Sequence, residues 1–365
     1  MRNKRDIYCE YAFWEEFFGM EKRVIHNRFK RKLWDAFYDF LFDNNLFFDI
    51  PDQNVIEDTC GGKNLMWLRQ KKGGAGIKFI PDNFPKIEKL SDDEDNHLNS
   101  VFLTTSDTSK CEELSARFGV IVFNLSMIFS AKHVYVNNGR SFNRSKDYNW
   151  TYLWELKEKC PSISCCNSLV IADRYLLSDK NESAFDNNLS PILEALLPQS
   201  LENGIIFSVC FIVWEENNSS IEEKLHKIEI LIKELRPKLS FNLNIFNSRI
   251  LHDRSILTNN IILTSGAGFE VIGKNEKPMK FTTTSLYFPF LISDYNVRIK
   301  YLEWINNVLK AKCSCRSFQH DYWGEEHPRH HLLDFYYEKP KTPKPSYPFR
   351  ADDVNVFLHS RGTII

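Results

Sequence analysis

The chain of 365 residues opens with no basic stretch followed by an apolar core and a small-residue cleavage site, so a secretory leader is not expected. It also has no uninterrupted apolar run long enough to span a bilayer, which sets membrane insertion aside. Neither sign of charge dominates: 47 Lys and Arg face 48 Asp and Glu, for a formal net charge of −1. That balance removes any whole-molecule pull on nucleic acid, although a local basic patch stays open. The nine cysteines are irregularly spaced, with Cys165 and Cys166 adjacent, and do not form the disulfide framework of a secreted domain. The expectation is a cytoplasmic protein with buried thiols. Gly73-Gly74-Ala75-Gly76, after Lys71-Lys72, lacks the Gly-Lys-Ser/Thr of a phosphate-binding P-loop and reads as a hairpin or loop.

What is present is a core. Hydrophobic residues make up 43% of the chain and aromatics 14%, including 29 Phe, which describes a packed globular protein. The length fits two domains. The break falls at residues 160–168, where a helix from Trp150 to Lys159 gives way to Pro161-Ser162-Ile163-Ser164 and then to the apolar run Leu169-Val170-Ile171-Ala172. Beyond it the pattern alternates. A strand at 169–172 is followed by a helix at 188–197, a strand at 205–214, a helix at 221–235 and strands at 243–246 and 261–264. This predicts an α/β layer fold. The expected organisation is an N-terminal α/β domain over 1–160, a second domain over 168–310 and a tail over 311–365.

The segment between the last two strands has chemical spacing. It reads His252-x-Arg254-x4-Asn259-x6-Gly266, with Ser265 before the glycine. This frame resembles the phospholipase D motif, with Arg254 in place of lysine and Asn259 in place of aspartate, and the resemblance covers residues 168–310. The His-Asp-Arg form is similar to the C-terminal domain of MIT-domain proteins, a phospholipid-binding relative without catalysis. The resemblance implies a mixed sheet flanked by helices in the second domain, with His252 as nucleophile, Arg254, Ser265 and Gly266 facing phosphate, and Asn259 in the orienting position. Arg254 can grip a phosphate bidentately, whereas Asn259 supplies no negative charge to orient the histidine. Active members use two motifs and this chain supplies one, so turnover at His252 would require a homodimer. Two other readings stand beside this one: a pocket that binds phosphate without hydrolysis, and a structural turn in which Asp253 caps amides and Arg254 pairs with Asp173.

The first domain offers different chemistry. A strand leads through Thr104-Thr105-Ser106 to Asp107, then come a helix over 111–118 and a strand at 119–123. This unit resembles the late part of a PIN-type ribonuclease domain, in which carboxylates hold Mg²⁺ or Mn²⁺. The resemblance implies Asp107 as one ligand and Asp6 or Glu10, flanking Ile7-Tyr8-Cys9, as another. Asp107 is equally a good N-cap for the helix starting at Thr108.

Phe29, Leu33, Phe37, Phe40 and Leu41, widened by Trp34 and Tyr38, form a buried helical stripe. Lys22, Arg23, Arg28, Lys30, Arg31 and Lys32 make its start basic, either a solvated face or a track for a nucleic-acid backbone. Asp92-Asp93-Glu94-Asp95 reads as a solvated loop. Near the C-terminus, Cys313 and Cys315 precede His320, His327, His330 and His331. These residue types ligate zinc but fit no standard finger, so a His-rich surface loop explains them as well. Pro340, Pro343, Pro345 and Pro348 alternate with Lys339, Lys341 and Lys344 to give a semi-rigid arm, followed by a strand at 354–358. The common thread is phosphodiester recognition. The expected function is a nucleic-acid-directed effector, such as a nuclease of a bacterial defence or toxin system, the setting in which such domains often occur. The competing expectation is a non-catalytic module that binds a phosphate-bearing ligand or partner.

Overall fold

A computed structural model describes residues 6–24, 26–72, 76–92, 97–129, 142–143, 165–173, 176–177, 185–213, 219–247, 254–258, 262–265, 269, 283–287 and 316–317. The elements up to residue 129 are β1 (Asp6–Cys9), α1 (Tyr11–Gly19), α2 (Glu21–Val24), α3 (Arg28–Asp43), β2 (Asn45–Phe48), α4 (Cys60–Lys72), β3 (Ile77–Phe79), β4 (Val101–Leu103), α5 (Thr108–Phe118), β5 (Ile121–Phe123) and α6 (Leu125–Ile128). The strands form one parallel sheet in the order β3-β2-β1-β4-β5. Each residue of β4 and β5 is buried, as in a parallel sheet covered on both faces.

Helix α3 starts where Asn27 accepts a hydrogen bond from Lys30 N at 3.0 Å. Its stripe is buried as expected at Leu33, Trp34, Phe37, Tyr38, Phe40 and Leu41. Trp34 stacks on Phe17 of α1 at 5.0 Å and donates its indole N–H to the Phe17 carbonyl at 3.2 Å. An aromatic pair of this kind contributes about 0.5–1.5 kcal/mol beyond the area it buries. Helix α4 packs so close to the chain before it that a Cβ on Gly62 would lie 1.9 Å from the Ile56 carbonyl oxygen, a position only glycine can fill.

The remaining elements are β6 (Phe142–Asn143), β7 (Ser168–Ala172), α7 (Ser190–Leu196), β8 (Phe207–Val213), α8 (Ser219–Leu235), β9 (Phe241–Asn247), β10 (Arg254–Thr258), β11 (Ile262–Ser265), β12 (Thr283–Tyr287) and β13 (Arg316–Ser317). Their sheet runs β13-β9-β8-β7-β10-β11-β12-β6. β7, β8 and β9 are parallel and the other pairings antiparallel, so the sheet is mixed. The α/β class and the mixed sheet flanked by helices agree with the sequence reading. Several element boundaries shift, and two departures bear on the second sheet. β9 is seven residues long rather than four, because its register with β8 runs from Phe207–Phe241 to Val213–Asn247. β6 comes from before residue 160 yet pairs with β12 of the second sheet.

Buried side chains form one contiguous cluster from Ile7 to Phe269 that spans both sheets. The sheets meet around the end of α5, where Glu202 N donates to Arg117 O at 2.9 Å and Asn167 donates to Leu98 O at 2.6 Å. Gly119 ends α5 with φ of 65°, and the Cys166 carbonyl oxygen passes 2.7 Å from where its Cβ would be. Among the described residues no helix is long and apolar enough to cross a membrane. The expected helix at 150–159, the Cys313/Cys315/His cluster, the Pro/Lys arm and the last strand lie outside the described residues.

Candidate active site

A parallel sheet places every strand's carboxyl end on one edge, and ligands of open α/β sheets sit where the strand order reverses. In the first sheet that point lies between β1 and β4. Glu10 follows β1, Asp49 follows β2, Thr104 to Asp107 follow β4, and Asn124 follows β5. Glu10 fastens the switch point together: Oε1 accepts from Thr104 Oγ1 at 2.7 Å, and Oε2 accepts from Thr105 N at 2.7 Å and Thr105 Oγ1 at 2.8 Å. Asp49 accepts from Tyr11 N, the first amide of α1, at 2.8 Å. Asp107 is exposed and caps α5, accepting at Oδ1 from Lys110 N at 2.8 Å and from Ser109 Oγ at 2.6 Å. Asn124 ties the same loop down, donating to Ser106 O at 2.9 Å and Thr108 Oγ1 at 3.1 Å.

The electrostatics follow from these contacts. The Ser109 hydroxyl, then the Lys110 amide, hold the Asp107 carboxyl below its ordinary value, so it is ionised at neutral pH. Burial pushes the Cys111 thiol up to about 12, with the negative charges of Asp107 and Glu10 adding to the shift. Burial, then Asp49 and Glu10, raises Cys9 likewise. Neither thiol is a thiolate nucleophile at neutral pH. The strand order β2-β1-β4 sets Glu10 between Asp49 and Asp107 along this edge.

The sequence-derived residues divide plainly. Glu10 and Asp107 share the carboxyl edge. Asp6 sits at the opposite end of β1, accepting from Asn45 Nδ2 at 2.8 Å and separated from Glu10 by about 13 Å of extended chain. In the second sheet, Arg254 opens β10 and is paired in register with Ser265 of β11. The neighbouring pair Ser255–Ala172 puts Arg254 at the edge where β7 ends in Asp173. Asp173 is buried and its Oδ2 accepts from Phe269 N at 2.7 Å. His252, Asn259 and Gly266 lie outside the described residues. Asp49 went unnoticed in the sequence, although Leu46-Phe47-Phe48 before it is the same apolar-run-then-acid signal that marked Asp107.

Carboxylate oxygens are the donors that Mg²⁺ and Mn²⁺ prefer, and Mg²⁺ keeps several waters while taking one or two carboxylates directly. The donor set of this edge therefore suits such an ion in kind. Among the described residues no three His, Cys, Asp or Glu side chains stand close enough to enclose a metal between them. Asp107 is the exposed, ionised carboxylate of this edge, and Asp49 lies two strands away from it, across β1. No family model matches the chain, and comparison with curated proteins found no match.

Proposed function

We propose that the protein is a phosphodiester-directed effector, a nuclease of a bacterial defence or toxin system acting in the cytoplasm on nucleic acid. Its reacting centre is the carboxyl edge of the first sheet. One observation supports this reading: Glu10 and Asp107 follow the two strands, β1 and β4, that flank the switch point of a parallel sheet, with Asp49 at the same edge one strand further on. A bound Mg²⁺ or Mn²⁺ would supply charge neutralisation at the phosphate and an activated water. Asp107 would hold it, and Glu10 keeps the β1 and β4 ends at fixed spacing through Thr104 and Thr105. This reading includes a PIN-like first domain, a division at residues 160–168 and a phospholipase D-like second domain. There Arg254 grips phosphate oxygens with its planar fork, and His252 reacts only where a homodimer brings two copies together.

The alternative is binding without turnover, favoured by the three donors that already occupy the Glu10 carboxylate. Cleavage of labelled single- and double-stranded DNA and RNA, with Mg²⁺, Mn²⁺ or EDTA, separates the readings. The proposal expects metal-dependent cleavage that survives His252→Ala. Cleavage insensitive to EDTA but lost in His252→Ala would move the chemistry to the second sheet, and no cleavage with any substrate or metal would leave the binding module.

A further inference from the structure

The second sheet has an opening at its other edge, away from Arg254 and Asp173. One side of α8, from Leu225 to Lys233, and the amino ends of β8 and β9 line a half-open cavity of about 610 Å³. Its walls are apolar, formed by Ile206, Leu225, Pro237, Leu239, Phe241 and Leu243. Arg236 stands in the same wall and is 4% exposed. Its guanidinium donates to Leu197 O at 3.3 Å, to Leu235 O at 2.7 Å and to the Glu194 carbonyl. All three acceptors are main-chain oxygens at the ends of α7 and α8, whose dipoles offset part of the buried charge. No carboxylate forms an ion pair with Arg236 among the described residues, and burial depresses its pKa, with the Glu194 charge acting in the opposite sense.

A guanidinium carries five N–H groups, so two remain, one on each terminal nitrogen. That fork is the geometry that receives a carboxylate or phosphate. Glu229 and Lys233, the other charged residues lining the cavity, are bonded to each other at 2.5 Å and cancel. The cavity thus offers greasy walls and one buried positive charge to which no carboxylate is bonded among the described residues. Its size falls in the range of small-molecule sites, about 300–1,000 Å³. Ile206 in its wall is 49% exposed, an apolar surface that a ligand would cover.

We propose that this cavity binds a small anion with an apolar body, a carboxylate or a phosphate ester whose acid group takes the two remaining Arg236 N–H groups. The site lies at the amino ends of the strands and is independent of the chemistry at the carboxyl edges.

Calorimetric titration of the full chain with decanoate, phenyl phosphate and decanol tests the idea. The expected result is one saturable site for decanoate or phenyl phosphate, whichever acid group the fork prefers, with decanol about tenfold weaker or worse than decanoate where the carboxylate is the one bound. Arg236→Gln should abolish that preference for the anion. Because Arg236 also closes two helix ends, its loss can unfold the chain; Ser240→Trp, at an exposed position of the cavity wall, fills the space without touching those caps and should weaken binding at least about tenfold. No saturable binding of either anion, decanol binding as tightly as the preferred anion, or unchanged binding in Ser240→Trp would overturn the proposal.

Discussion

At the scale of single residues, Asp107 has two roles that can be separated. Its lowered pKa means that the cap on α5 is intact above the ordinary aspartate range and is lost as pH falls through the folded value. Replacing it with Asn, an equally good cap that does not titrate, should flatten the acid limb of thermal stability while leaving neutral stability unchanged. Melting curves from neutral pH to below about pH 4 check this. Cys111 should stay unlabelled by a thiol reagent in the native protein at neutral pH and react at once in denaturant, because its thiol is held protonated at a pKa of about 12. Fast native labelling would contradict that picture. Asp107 was legible from its acid-before-helix position. Glu10 was legible only as an acid beside a strand, since Thr104 and Thr105, which bind it, are more than ninety residues away.

At the scale of elements, the helices announced themselves through apolar spacing, α3 above all, whereas β9 was foreshortened in the sequence. Asn242 cuts Phe241 off from the apolar run that starts at Leu243, yet it occupies a strand, with Asn244, paired along seven residues with β8. The register puts them on the same face as Ser208 and Ser255, opposite the face of Leu169, Val209 and Leu243. Ser208 and Ser255 are buried with hydroxyl oxygens that lack hydrogen-bond partners among the described residues. A buried hydroxyl without a partner destabilises, so Ser208→Ala should leave the protein as stable as before or more stable by about 1 kcal/mol. Chemical denaturation measures it, and a loss of similar size would show that the hydroxyl is paired in solution.

At the scale of the whole molecule, the two sheets are joined where sequence patterns say least, at a helix end. Gly119 accepts a left-handed backbone that lets the chain at Cys166 and Asn167 pass against it. Gly119→Ala should cost about 2 kcal/mol or more, since a left-handed alanine alone costs about 1–2 kcal/mol and its Cβ would meet the Cys166 carbonyl. Local patterns revealed the α/β class because strand and helix periods are written in neighbouring residues. The strand order β3-β2-β1-β4-β5, and with it the placing of Glu10, Asp49 and Asp107 along one edge, is set by pairing between distant segments. The measurement that bears most directly on the proposed site is Mg²⁺-dependent cleavage of labelled nucleic acid by the wild type and by Asp107→Asn, with a melting curve for each. A rate lower by about a hundredfold or more at unchanged stability is the predicted result. An undiminished rate would contradict the account.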